Sequence, residues 1–243
     1  MRRLTFLHVS LSAVFCLCAL AGEAHGQCNA DEVLVGEDAK FWYCAGVPTG
    51  NEVTRAAAKL DTLRPEWFGE EWRYRKAVID VAGCLAKQPG TPYLWSGKYS
   101  FPRECTDRLG AGLDCSGLIA YSNQFAACFV NRFYKAAFDA LQGLHDRNAA
   151  DQAEYFKKYK AWNGPNDSPV PGDAVFFKDT YKGCKGICHV AIFLGDASDG
   201  RRLIIHASST KGVVITKMPE QWRSKIVGYG NVSRLYLNIS GKQ

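Results

Sequence analysis

Apolar positions change their period twice along the chain. Trp67, Trp72, Tyr74, Val78, Val81, Ala82 and Leu85 recur at helical spacing, and Pro89-Gly90 breaks the run, so a helix is predicted from Pro65 towards that break. A second apolar run, from Cys115 towards Leu144, follows the glycine-rich stretch GAGLDCSG, whose glycines let the backbone turn sharply before a helix that starts at Cys115. From Asn148 to Asn166 the chain is polar and helical in flavour, with Tyr155, Phe156, Tyr159 and Trp162 interleaved with lysines. It closes in a Gly, Pro and Asn loop and reads as an inserted hairpin, its aromatics as helix packing, with a glycan-stacking surface as the rival reading.

After Pro171-Gly172-Asp173 the pattern becomes that of strands: AVFFK, ICHVAIFLG, RLIIHAS, GVVITK and a longer run around IVGYGNVSRLYL, separated by Gly, Asp and Ser turns. Helices first and a strand meander afterwards predict an α+β fold, with helices packed on one antiparallel sheet. The expected domain runs over 65–240, with a helical insertion at about 128–168.

The chain's beginning reads as an address. Arg2 and Arg3 precede an apolar run from Leu4 to Leu20, then small residues ending at Ala24-His25-Gly26, which is the pattern of a signal peptide over 1–26 with cleavage near Gly26. A secreted or periplasmic protein without an integral membrane anchor is expected. Residues 27–64 are irregular, with Cys28 and Cys44 placed to staple a small extension.

The chain of 243 residues is 47% apolar, which argues against disorder, and its formal net charge of +6 fits a polyanionic neighbourhood, wall polymer or membrane surface as easily as nucleic acid, beside the plain reading of solubilising surface charge; no nucleic acid partner is expected. Two of the ten cysteines lie in the leader, leaving Cys28, Cys44, Cys84, Cys105, Cys115, Cys128, Cys184 and Cys188. An oxidising compartment suits that density. Cys28 with Cys44 and Cys184 with Cys188 are the expected local pairs; if one thiol stays free for chemistry, at most three disulfides form. Cys184, Cys188 and His189 lack a fourth ligand at a sensible spacing, so neither a metal nor an organic cofactor is called for.

A helix tip favours a thiolate, because unpaired N–H groups and the helix dipole place partial positive charge there. Cys115 meets that condition. An imidazole must take its proton, and a further polar group must orient that ring. Downstream of Cys115 the candidates are His145, His189 and His206. His189 and His206 fall in successive strands, where same-face side chains lie roughly 5 Å apart. Alternation sets His189, Ala191 and Phe193 on one face, and small Ala191 leaves room there for a helix bearing the nucleophile.

The ordered motifs YLWSGK, LDCSGL, PGDAVFF, CHVAIFLGD, LIIHAS and GVVI resemble the NlpC-type cell-wall endopeptidases, a branch of the papain-like cysteine peptidases, over about Pro65 to Leu237. The resemblance implies Cys115 as nucleophile, His189 as base and His206 as the group that orients it. It also implies that Tyr93 stands by the nucleophile, and that Asp114 and Ser116 engage a substrate amine or shape the helix start. The implied reaction is hydrolysis of peptidoglycan stem peptides, on the carboxyl side of a γ-linked D-glutamyl residue, through a thioester. Three features depart from the family pattern: a longer segment between Cys115 and His189, Ser96-Gly97-Lys98 in place of a second glycine, and two cysteines crowding His189. The rival readings are a catalytically silent wall-binding module of the same fold, and a papain-like amidase or acyltransferase acting on another substrate.

Overall fold

In a computed structural model the chain is described over residues 65–86, 91–95, 112–130, 141–144 and 148–241. The expected leader, the stapled extension with Cys28 and Cys44, and His145 lie outside these residues. Helix α1 spans Pro65–Leu85, with a kink at Gly69, whose φ of 44° is left-handed. Helix α2 spans Cys115–Val130, and α3 spans Ala149–Lys158 under an N-cap in which the Asn148 side chain accepts from the Asp151 N–H. Among the described residues no helix is long and apolar enough to cross a membrane.

Among the described residues six strands make one sheet: β1 Trp162–Asn163, β2 Ala174–Lys178, β3 Ile187–Asp196, β4 Arg202–Ser208, β5 Gly212–Lys217 and β6 Ile226–Gly230, in the order β1-β6-β2-β3-β4-β5. Every pairing is antiparallel. The α+β fold expected from the sequence is thus formed.

Two expectations need correction. The last apolar run is not one strand: β6 ends at Gly230, and helix α4 begins at Val232 and runs to Ser240. Asn231 ends the strand because its side chain accepts the Arg234 N–H as an N-cap, and Val232, Leu235 and Tyr236 then bury one helical face. Asn231 is itself buried, at 7% exposure. The stretch after α3 is also more than a loop. Trp162 and Asn163 form an edge strand on β6, and Tyr155 and Phe156 are buried in the core, so they offer no stacking surface.

The main core lies between the helices and one sheet face, where Val190, Ile192, Leu194 and Ile205 meet Leu118, Ile119, Phe125 and Tyr236. Beneath it, Arg75 of α1 donates to Asp173 at 2.6 Å, both side chains being almost wholly buried. Asp173 also accepts the Val170 N–H at 2.8 Å, and Gly172 makes the preceding turn at φ 95°. The Pro-Gly-Asp motif therefore anchors the start of β2 to α1. The opposite face carries a smaller cluster of Val175, Phe177, Ala191, Phe193, Ile204, Met218 and Tyr229, covered by Trp222 and Ile226.

Candidate active site

Helix α2 is capped by the residue before it. The Asp114 carboxylate accepts from the Gly117 N–H at 2.7 Å and from the Ser116 hydroxyl at 2.8 Å, so both Asp114 and Ser116 shape the helix start. From inside, the buried Gln152 of α3 donates to the Ser116 carbonyl at 2.8 Å and to the Leu144 carbonyl at 3.0 Å. Sequence reasoning missed Gln152, since nothing local ties residue 152 to residue 116. Cys115 stands at this braced tip, half-buried, and is the free thiol among the described cysteines.

Tyr93 is brought beside the tip by backbone pairing. The Leu113 N–H donates to the Pro92 carbonyl at 2.9 Å, and Tyr93 bridges Leu113 in parallel. Gly112 permits that approach, because a Cβ there would lie 2.5 Å from the Pro92 oxygen.

The histidines reach the cysteine by a route the sequence did not suggest. The face of β3 that bears His189 and Ala191 is filled by Phe177 and Trp222, while α2 packs on the Val190 face. The expectation that small Ala191 makes room for α2 is therefore wrong: the larger apolar face demanded the helices, and an indole fills the space over the smaller one. The two sides meet because the sheet parts. The β3–β4 ladder stops at Ile192↔Ile205, although β3 stays on β2 as far as Ile187 and β4 stays on β5 as far as Ser208. In this opening His189 Nε2 and His206 Nδ1 come to 3.1 Å, and Cys115, His189 and His206 line one cleft of about 400 Å³ with Tyr93. The His206 contact occupies Nε2 of His189 and leaves Nδ1 out of that bond.

Burial governs the electrostatics. It pushes the Cys115 thiol up to about 12, the Asp114 carboxylate adding to the rise, while the backbone N–H groups of Val190, Ser116 and Cys115 converge on sulfur and oppose it. Burial lowers His189 to about 3, helped by His206, and lowers His206 to about 4. Both shifts favour the neutral forms, thiol and imidazole, over the ion pair that a helix tip alone would favour. Trp222 contributes to that burial, with its ring centroid 5.0 Å from His189 and 5.6 Å from His206. It too was missed, lying in a stretch with no strand or helix periodicity. Beside His189, the sulfurs of Cys184 and Cys188 lie together as a close pair, with Cα atoms 6.0 Å apart.

A cysteine at a helix tip, set against paired histidines at the parting of an antiparallel sheet, is the layout of a papain-like domain. The match is specific: the NlpC/P60 family model covers residues 90–230, more than half of the sequence, and the chain belongs to that family. It is also 33% identical over 154 residues to the gamma-DL-glutamyl hydrolase of Bacillus subtilis (strain 168), an alignment covering 63% of this chain and 29% of that protein. The chain thus spans under a third of that relative's length.

Proposed function

We propose that the protein is an exported cysteine endopeptidase that hydrolyses peptidoglycan stem peptides at a γ-D-glutamyl bond to a diamino acid. The observation that carries this reading is the single cleft holding a free Cys115 and the His189–His206 pair at 3.1 Å. Membership of the NlpC/P60 family and the name of the Bacillus relative support the γ-glutamyl bond as target. The paired arginines and apolar run at the start of the sequence support export, to the periplasm or beyond.

In this mechanism substrate closes the cleft and His189 takes the Cys115 proton through Nδ1. Sulfur adds to the scissile carbonyl, and the resulting oxyanion is held by the N–H groups at the start of α2. His189 then gives its proton to the leaving amine as the C–N bond breaks, which leaves a thioester. Water, deprotonated by His189, attacks that thioester, and the proton returns to sulfur as the acid departs. His206 fixes the tautomer and plane of His189 throughout. Cleavage thus needs no external redox partner.

Purified sacculi digested with the wild-type protein should release muropeptides cut after the γ-linked glutamyl residue, identified by mass. Sacculi left intact by the folded, unmodified protein, when a separate sample shows Cys115 reactive to iodoacetamide, would sink the peptidase reading and point to an acyltransferase or an amidase on another substrate. Intact sacculi with Cys115 inert to iodoacetamide would favour a silent binding module.

A further inference from the structure

Large apolar side chains exposed to water are few among the described residues: Leu94, Trp95 at 67% exposure and Tyr181 at 48%. The two aromatic ones line this cleft. Single exposed apolar residues need no explanation; a group rimming a cleft does. Trp95 and Tyr181 meet edge to face with ring centroids 6.1 Å apart, so each ring braces the other while most of Trp95 stays open. Tyr181 lies just before the Cys184–Cys188 pair, its carbonyl accepting the Cys184 N–H at 3.2 Å, and Thr180 Oγ1 is 3.4 Å from the Cys188 sulfur.

The remaining lining has a consistent chemistry. Thr180, Ser208, Ser209 and Tyr93 supply hydroxyls, and none of the described lining side chains bears a formal charge. The nearby Asp114 carboxylate is engaged by its helix-cap bonds. A carboxylate terminus in such a place would lose its hydration without gaining a cationic partner among the lining side chains. A pyranose ring suits it: its C–H face stacks on an aromatic ring and its hydroxyls exchange hydrogen bonds with Ser and Thr.

We propose that the Trp95–Tyr181 rim is a saccharide subsite, which holds the amino sugar to which the stem is attached, so that stems still joined to glycan are cut in preference to free stem peptides. The inference rests on the stem-peptidase reading for its substrate, but the sugar contact is testable without it.

Two soluble substrates compare directly, a disaccharide–tetrapeptide and the same tetrapeptide without sugar. The wild-type kcat/KM should favour the sugar-bearing form by about tenfold; Trp95→Ala should bring the ratio to within about twofold of unity, and Trp95→Phe should keep most of it. A wild-type ratio near unity, or a ratio untouched by Trp95→Ala in a folded protein, overturns the subsite while leaving the peptidase intact. If neither substrate is cut, the peptidase reading falls, and titration of the full-length Cys115→Ala protein with the tetramer of N-acetylglucosamine decides the subsite. Saturable binding that Trp95→Ala abolishes supports it, and absence of saturable binding overturns it.

Discussion

The two faces of the sheet are built differently. On the helix side, β3 and β4 bury Val190, Ile192, Leu194 and Ile205 in a core that reaches from Tyr74 to Tyr236. On the other side a thin cluster ends at Trp222 and Ile226. The nucleophile candidate belongs to the thick side and the histidines to the thin one, joined where β3 and β4 separate. Stability and chemistry should therefore separate: damage to the packed interior of the thick side unfolds the protein, and damage on the thin side, or to Cys115 at the edge of the thick one, disables or retunes it.

The sharpest test removes chemistry and leaves packing alone. Cys115→Ala and His189→Ala should each lower stem hydrolysis at least about a thousandfold, since nucleophile and base act as one unit. The melting transition should stay in place by circular dichroism. A comparable loss of stability in either variant would mean that the parted strands are held together by these side chains and that the division by face is wrong.

The converse test belongs to the thick side. Asp173→Ala takes from the Arg75 guanidinium, which cannot shed its proton, its nearer carboxylate and leaves it Glu71 at 3.6 Å, and should cost up to about 3–5 kcal/mol in denaturant unfolding. Hydrolysis per folded molecule should persist. Arg75→Met should cost less, because burial already raises the Asp173 pKa and the carboxyl can take up a proton when its partner is gone. Equal costs would show that the charge on Asp173 matters less than its bond to the Val170 N–H.

Much of this division was legible in the sequence, and its limits are physical. Strand alternation in ICHVAIFLG separated His189, Ala191 and Phe193 from Val190, Ile192 and Leu194, and the two sets do lie on opposite faces. Cys115 was recognisable as a helix start from the glycines around it and the apolar run that follows. Which face received α2 was not legible, because that depends on how much apolar surface each side must cover. Nor was the parting of β3 from β4: both strands keep unbroken apolar patterns through Ile192 and Ile205, and the ladder ends for tertiary reasons. Gln152 and Trp222 act over long sequence distances, which local periodicity cannot register.

Within the thin face, His206 should matter less than His189. His206→Asn retains a polar group towards His189 Nε2 and should lower kcat/KM about tenfold, against about a hundredfold for His206→Ala. Equal losses would mean that the ring is needed for its bulk or its own protonation, not for orientation. The thiol offers a related measurement: its alkylation rate should keep rising beyond pH 9, because burial holds Cys115 protonated up to about 12. An inflection near pH 5 would reveal a resting ion pair and contradict the neutral ground state.

The smallest effect asked for comes from Trp222. Desolvation is the main cause of the low values of both histidines, about 3 and about 4, and the indole lies against both rings. Trp222→Ala admits water, so protonation should move towards the free imidazole value and the acid limb of kcat/KM should rise by about half to one pH unit. The sign for stability follows from the same shift. Folded values below that of the free ring give stability that is present above about pH 6.5 and lost as pH falls towards the folded values. In Trp222→Ala that acid-side slope should flatten, since folded and unfolded values approach each other. An acid limb that stays in place, in a variant that still melts cooperatively, would assign the dryness of the histidine pair to Phe177 and the sheet itself, and the thin face would lose its claim to tune the chemistry.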